Sequence, residues 1–477
     1  MTPLMLRLPI WTLIFSGIFF GFTLPGGAPP AHAGDSEFRG PHGTVSQSFD
    51  SFIQPLKSTP NIQERFEADC ELQLTHQAWS ARATPWGWLR APDAVGGDFK
   101  KARGYFELKE GWLEYSSDAW DLRAGNQILA WGAADFLNPT DSWNPRDFYD
   151  PFASTKLPLP VARLNVHPKD WGSSTLELDF TPFFRGDRLP VEFPESGVTG
   201  LSLDQSRWLI PAPTTVVDGG LTVPLHYLLA APNYPAKWQG GARLMLNGIG
   251  NWDLAFSYFN GVEKQPRIAI TKKGTASDPN LPVTATLNPS FHREQRVGVN
   301  AVGSLKPAKG ELIGMRAEVA YVFRDNSRVT SLPADQRADL IKDDYIHSVL
   351  GFDHTLSKKF LDTVIYANLM YVHFQRIGHR ETPTGEGVVS GLPNVNPWDD
   401  DLVLYVESRI SSGWKIGASW LTSLQNGDHF LRPKIEKQFQ NSLKLVLGAD
   451  FFLGRDSGFY GQFRSNDRVT TQLAYFF

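Results

Sequence analysis

The densest group of reactive side chains lies in one stretch of the sequence, Trp131 to Pro151. Two related units follow each other there, Asn138-Pro139-Thr140-Asp141 and Asn144-Pro145-Arg146-Asp147. Each unit joins an asparagine, which favours turns, to a proline of fixed φ and then to an acidic residue. The stretch is therefore predicted to be a rigid loop rather than a strand or a helix. Its candidate functional residues are Asp135, Asn138, Asp141, Asn144, Arg146 and Asp147.

Oxygen ligands at this density could chelate a calcium ion. The stretch has no EF-hand spacing or other diagnostic pattern, however. The favoured interpretation is structural: the carboxylates and amides cap turns, and Arg146 pairs with a carboxylate. We predict no metal ion and no cofactor, and calcium binding stays open as the less favoured alternative.

The other sites of possible chemistry are weak. The sequence contains no G-x-S-x-G, H-E-x-x-H, Walker or Cys-x-x-Cys-His motif, so we predict no enzyme and no catalytic residues. His347 or His373 with a nearby serine could form a pair like that of a barrel lipase, although an interfacial or lumenal histidine is favoured. The formal net charge of -4 excludes a strongly basic nucleic-acid binder.

The elements that must position the loop are short alternating segments. In Leu176 to Thr181 apolar and polar residues alternate strictly, and Arg468 to Phe477 follows the same pattern, which is typical of strands. Short turns and long connections also alternate along the chain. This alternation is not expected of a soluble β-sandwich. It is typical of an outer-membrane barrel, which has short turns on the periplasmic side and long loops on the outside. We predict an all-β protein, a transmembrane up-and-down antiparallel barrel of about 16 strands.

The domain organisation follows from composition. Residues 1–33 combine Arg7, an apolar run and the sequence Ala31-His32-Ala33, and predict a signal peptide. A retained anchor helix is less favoured, because prolines bracket a short apolar run. Residues 34–66 are predicted to be a periplasmic lead-in, and 67–477 the barrel, with long loops at 131–158 and 184–236. The terminal Phe477 resembles the signal read by the barrel assembly machinery, which predicts the bacterial outer membrane and contact with its lipid.

In such a barrel the apolar face contacts lipid and the charged face lines a water-filled lumen. The last strands are locally basic on that face. This either favours anionic solutes or reflects wall charges that neutralise each other, and the sequence leaves both open. The predicted lumen-lining residues are Arg123, Arg316, Glu318, Arg409, Arg432, Lys434 and Lys444.

The pattern W-G-x-x-D-x-x-N-P-x-D-x-x-N-P-R-D, from Trp131 to Asp147, resembles the signature of a bacterial outer-membrane family of porin-like β-barrels of unknown function. The resemblance implies a channel or passive transporter for small solutes and names no solute. We expect the loop at 131–150 to be a lumenal constriction. The alternative is a structural sheath or docking partner for a secretion or electron-transfer complex, without free conductance. The sequence does not give the oligomeric state.

Overall fold

The computed structural model describes most of the chain from Ser36 to Phe477. The predicted signal peptide lies outside the described residues, as does much of the predicted loop 184–236. The described ranges are 36–54, 61–91, 103–148, 150–188, 215–218, 221–229, 233–273, 283–306, 312–326, 344–358, 363–377, 400–410, 413–440, 442–456 and 458–477.

The main sheet contains 18 strands, which we number in chain order. They are β1 (Ser36–Phe52), β2 (Ile62–His76), β3 (Trp79–Ala91), β4 (Arg103–Ser116), β5 (Trp120–Gln127), β6 (Leu159–Val166), β7 (Thr175–Thr181), β8 (Gln239–Ile249), β9 (Trp252–Val262), β10 (Arg293–Leu305), β11 (Ile313–Arg324), β12 (Asp344–Lys358), β13 (Thr363–Ile377), β14 (Asp400–Ile410), β15 (Trp414–Ser423), β16 (His429–Phe439), β17 (Leu443–Leu453) and β18 (Arg468–Phe476).

Each strand pairs antiparallel with its neighbours along the chain, and β18 pairs with β1 to close the ring. At this closure Ser46 lies opposite Ala474, and Gly43 and Phe477 exchange two backbone hydrogen bonds of 3.1 Å each. Closure leaves no open sheet edge, so every strand of the ring has a hydrogen-bonded neighbour on both sides. The predicted all-β up-and-down barrel is confirmed, with 18 strands in place of about 16.

The two additional strands correct the predicted boundaries. Residues 34–66, predicted to be a periplasmic lead-in, contain β1 and the start of β2. Residues 79–91 form β3. The outward side of β1 lacks a regular apolar pattern, and its pairing with β2 and β18 forms the strand instead. Tertiary pairing thus overrides a weak local signal.

Connections of contrasting length lie at the two rims. The turns that join β2 to β3 and β8 to β9 are two residues long, whereas 128–158 joins β5 to β6 and 182–238 joins β7 to β8. Both ends of the described chain lie at the short-turn rim. Strands from the long loops form a second, four-stranded sheet: Thr215–Asp218, Leu221–Leu229, Arg267–Lys273 and Val283–Ser290.

The strand faces differ in polarity. Phe180, Val319 and Leu473 are exposed on the outer face, whereas their chain neighbours Asp179 and Glu318 are buried on the inner face. This alternation puts an apolar surface outside and charged groups inside, which suits a wall between lipid and water. Among the described residues no helix is long and apolar enough to cross a membrane.

Candidate functional site

The loop 128–158, which we call the crossing loop, enters the barrel directly after β5. Trp131 donates its indole N–H to Glu177 Oε1 on β7 at 2.6 Å, and its ring packs edge-to-face on Trp143 at 5.6 Å. Both indoles lie over Gly241 on β8, where a Cβ would come within 2.9 Å of each ring. A glycine on the wall therefore makes room for the aromatic pair.

Glu318 on β11 holds the middle of the crossing loop. Its carboxylate accepts hydrogen bonds from the backbone N–H groups of Ala133 and Ala134, the latter at 2.6 Å. It also accepts a bond from Thr140 Oγ1 at 3.1 Å. Gly132 permits this approach, because it has φ +98° and a Cβ there would lie 2.9 Å from Glu318 Oε1. The buried carboxylate of Glu318 thus accepts hydrogen bonds from backbone N–H groups that have no backbone partner in the loop.

The next residues contact the wall at β10, β11 and β13. Asp135 forms an ion pair with Arg316 on β11 and accepts a hydrogen bond from Asn368 Nδ2 on β13 at 2.5 Å. Arg296 on β10 donates to Pro139 O at 2.6 Å. These contacts hold the loop inside the barrel rather than above its rim.

The two asparagine-proline units have different roles. The first forms a turn, in which Asp141 N donates to Asn138 O at 3.1 Å. In the second, Asn144 joins the two ends of the loop: its Oδ1 accepts from Leu129 N at 2.7 Å, and its Nδ2 donates to Gln127 O and Leu157 O, each at 2.9 Å. The side chain of Asn144 thereby satisfies three backbone groups.

The crossing loop also pairs with the segment that follows β7. Arg188 N donates to Arg146 O at 2.9 Å, and Phe148 N donates to Arg188 O at 2.7 Å. Asp187 Oδ1 accepts from Arg146 N at 2.7 Å. Burial raises the pKa of Asp187 to about 6, opposed by that hydrogen bond and by the positive charge of Lys264. Two long connections therefore stabilise each other inside the long-loop half of the barrel.

The tip of the crossing loop reaches the far wall at β16 to β18. Asp150 Oδ2 accepts from Arg468 Nη1 at 2.6 Å, and Arg468 also pairs with Asp450 at 2.7 Å. Next to it, the Phe152 ring lies among aromatic rings from β16, β17 and the loop before β18. The centroid distances are 4.8 Å to Phe430, 4.6 Å to Phe452 and 5.3 Å to Phe463. The loop therefore spans the lumen.

The six candidate loop residues do not form one surface. Asp135 is exposed, with 47% of its side chain accessible, and Arg146 is partly exposed at 33%. Asp141 is buried and pairs more closely with Lys156, at 2.5 Å, than with Arg146, at 3.9 Å. Asn144 and Asp147 are also buried. Only part of the predicted set can therefore meet a solute.

The sequence interpretation missed the anchors on the far wall. Asp150 belongs to the stretch Trp131 to Pro151, but its partner Arg468 is 318 positions away, and Phe152 lies just after that stretch. The sequence between 451 and 463 contains more phenylalanine and tyrosine residues than the lipid-facing side of one strand needs. This excess could have predicted an aromatic cluster inside the barrel. Their common purpose becomes visible only when the strands are closed into a barrel.

The predicted lumen-lining residues lie on the inner face, where most are paired. Arg432 forms two contacts with Asp450, of 2.6 and 3.0 Å. Lys434 pairs with Glu436 at 2.5 Å. Each of these two pairs offsets one positive charge of the last strands. The remaining contacts are Arg123 with Glu114, Arg316 with Asp135 and Asp353, Glu318 with the crossing loop, Arg409 with Glu407, and Lys444 with the ring of Phe476.

The two histidines considered for a lipase pair lie in different surroundings. His347 is buried on the inner face. His373 lies on the outer face, where its Nδ1 is 2.6 Å from Asp400 Oδ1, and Tyr371 OH donates to the same oxygen at 2.9 Å. Ser348 is the register partner of His373, but the contacts of His373 are made with Asp400 and Tyr371. Within the described ranges, no group of three or more His, Cys, Asp or Glu side chains could hold a metal ion.

No protein-family model and no curated protein matches the chain. Solved structures align with 93% of it. Wzi, a carbohydrate-binding β-barrel of Escherichia coli involved in group 1 capsule assembly, has 9% identity, 84% of its own chain covered and a TM-score of 0.46. Pseudomonas aeruginosa OccK5 (OpdH) has 9% identity, 97% coverage and a TM-score of 0.45. Acinetobacter baumannii OccAB1 has 8% identity, 95% of its own chain covered and a TM-score of 0.46. The assignment of the fold rests on the strand pairing itself.

Proposed function

We propose that this protein is an outer-membrane channel for small solutes, in which the crossing loop forms the constriction. The observation that carries the proposal is the path of this loop, which leaves the wall at β5, contacts β7, β11 and β13, and reaches β18. A chain that bonds to opposite sides of a barrel narrows the lumen between them.

The polarity of the two barrel faces supports a channel in the outer membrane. Apolar side chains are exposed on the outside, as at Phe180 and Leu473, where lipid would cover them. The inner face carries charged residues that require water or a charged partner. Asp135 and Arg316 have both a charged partner and access to water, because they pair with each other and their side chains stay partly exposed to the lumen.

Single-channel recording in a planar bilayer tests the proposal. Folded wild-type protein is expected to give discrete current steps. Asp135→Asn should change the cation-to-anion permeability ratio, because it removes an exposed charge from the proposed constriction. The control is Asp456→Asn, which removes an exposed carboxylate in the loop between β17 and β18 and should leave the ratio unchanged.

The alternative of a structural sheath or docking partner predicts a different record. Folded protein would then give no current steps. A variant in which residues 133–142 are replaced by a short glycine-serine linker would decide the matter. If neither wild type nor this variant conducts, the channel proposal is refuted and the sheath is favoured.

A further inference from the structure

Three adjacent strands place a serine, a histidine and an aspartate in one row on the outer face of the barrel. Ser348 on β12 is the register partner of His373 on β13, and His373 is the register partner of Asp400 on β14. The side chains of directly opposite residues point to the same face of a sheet. The row joins distant parts of the chain, so no linear motif reports it.

The histidine and the aspartate of this row are joined by a hydrogen bond. Asp400 Oδ1 accepts from His373 Nδ1 at 2.6 Å and from Tyr371 OH at 2.9 Å, and Asp400 Oδ2 accepts from Gln425 Nε2 at 3.1 Å. Three donors therefore fix the carboxylate. Because Nδ1 carries the proton of its bond to Asp400, Nε2 of a neutral His373 is left as the nitrogen that can accept a proton.

Ser348 lies across from His373 on the side away from Asp400. The Cβ atoms of directly opposite residues are about 4.5–5.5 Å apart, so side-chain rotation brings the serine Oγ within reach of the imidazole. Ser348 and His373 share no hydrogen bond in the structure, and catalytic hydrogen bonds are often long before substrate binds. Carboxylate, imidazole and hydroxyl thus follow each other in the order in which they act in nucleophilic catalysis.

The position of the row on the wall defines the substrate. The next outward row toward the short-turn rim consists of Leu350, Tyr371 and Leu402, whose side chains are exposed to the lipid side. His373 and Asp400 are themselves 38% and 24% accessible. The polar row therefore lies at the edge of the apolar band, on the long-loop side. This edge is the level of the lipid headgroups, next to the ester bonds that join acyl chains to them.

We propose that Ser348, His373 and Asp400 form a hydrolytic site for the acyl esters of lipids in the outer leaflet. The site faces away from the lumen, so the inference goes beyond the proposed channel and does not depend on it. It also revises the prediction of no enzyme, which rested on linear motifs. Ser348 is the nucleophile, His373 the general base, and Asp400 positions the imidazole.

The reaction has two steps and needs only water as co-reactant. Ser348 Oγ attacks the carbonyl carbon of the ester while His373 Nε2 takes the hydroxyl proton. The bond from that carbon to the alcohol oxygen then breaks, and the alcohol leaves with this proton. Water next attacks the acyl-serine and gives a proton to Nε2, the fatty acid leaves, and Oγ recovers the proton. The negative charge of Asp400 stabilises the imidazolium in both steps.

The release of fatty acid tests the site. Folded protein in a detergent without ester bonds is incubated with mixed micelles of diacyl glycerophospholipid or of purified lipopolysaccharide. Release from at least one lipid is expected, and the lipid that is cleaved identifies the source of the ester. Ser348→Ala and His373→Gln should each lower the rate at least about a hundredfold. Asp400→Asn should lower kcat about tenfold and leave KM unchanged, because Asp400 acts only through the imidazole.

Covalent labelling gives an independent readout. A fluorophosphonate reacts with an activated serine, whose Oγ bonds to phosphorus as fluoride leaves. Mass spectrometry should find the label on Ser348 in wild type and not in His373→Gln. Ser408→Ala is the matched control for the loss of an outward serine, since Ser408 lies opposite Ile365 and Ile416 rather than a histidine, and it should release fatty acid like wild type.

Heat-dependent mobility in a detergent gel shows that each variant is folded. The proposal is overturned if folded wild type releases fatty acid from neither lipid, or if folded Ser348→Ala releases it as fast as wild type. Folded Ser348→Ala should also give the same single-channel current as wild type. Hydrolysis without current would therefore support this site and refute the channel, whereas current without hydrolysis would do the reverse.

Discussion

The substitution Glu318→Gln tests whether one carboxylate keeps the crossing loop inside the barrel. Glu318 accepts hydrogen bonds from Ala133 N, Ala134 N and both the N and Oγ1 of Thr140. A glutamine has nearly the same shape but only one acceptor oxygen. Its amide NH2 would face donors on one side of the contact, so about half of the hydrogen bonds would be lost.

The number of hydrogen bonds lost at Glu318 sets how much the free energy of loop attachment decreases. A hydrogen bond to a charged group contributes about 1.5–3 kcal/mol, so losing two costs about 3 kcal/mol or more. The uncharged glutamine recovers roughly 1 kcal/mol, because it avoids burying a charge. The net loss of about 2 kcal/mol corresponds to about a thirtyfold larger fraction of molecules with the loop released.

Hydrogen exchange of peptides covering 131–141 measures this fraction, since exchange of a protected amide follows local opening. The expected result is about thirtyfold faster exchange at Ala133 and Ala134, with protection of the barrel strands unchanged. Glu436→Gln is the control, because Glu436 pairs with Lys434 on the inner face of β16. Unchanged exchange in folded Glu318→Gln would refute the role given to this carboxylate.

Three further substitutions test other parts of the loop. Phe152→Ala removes the ring from its aromatic neighbours and should lower the free energy that holds the loop tip on the wall by about 3 kcal/mol. The freed tip is expected to make the single-channel current noisier. A current as quiet as that of the wild type would contradict this. Gly298→Val places a side chain where a Cβ would already lie 2.5 Å from Thr140, and should speed proteolysis of the loop. The control Gly240→Val, where the nearest atom to a Cβ is 3.9 Å away, should not. Because the pKa of Asp187 is raised to about 6, ionisation of this group weakens the packing as pH rises from about 4 through 6. Asp187→Asn should therefore slow loop exchange at pH 7.5 and have little effect at pH 4; equal effects at both values would exclude this explanation.

The sequence predicted the wall of the barrel well, because each strand in lipid must repeat one simple pattern. Outward residues are apolar and inward residues polar, and this alternation is legible within segments such as Leu176 to Thr181. It failed for β1, whose sequence contains Gly40, Pro41 and many polar residues. The pairing that makes β1 a strand involves β18, and no local pattern reports a contact between the two ends of the chain.

One predicted turn of the loop is present in the structure, whereas its attachments to the wall were not predicted. Its asparagine-proline units predict turns, and the structure contains the turn from Asn138 to Asp141. Its wall partners are Glu177, Glu318 and Arg468, which the alternation identifies only as inward and charged. Which inward charge meets which loop residue depends on strand tilt and on the depth of each residue in the barrel, neither of which a linear pattern contains.

Burial divides the contacts of the crossing loop into two kinds with different consequences. Glu318 and Arg468 are almost fully buried, so their hydrogen bonds to the loop act without competing water and fix its position. Asp135 keeps 47% of its side chain accessible while it pairs with Arg316, and an exposed ion pair contributes only about 0–1 kcal/mol. The buried groups therefore contribute most of the free energy that holds the loop, and the exposed charge of Asp135 can change at a smaller cost in stability.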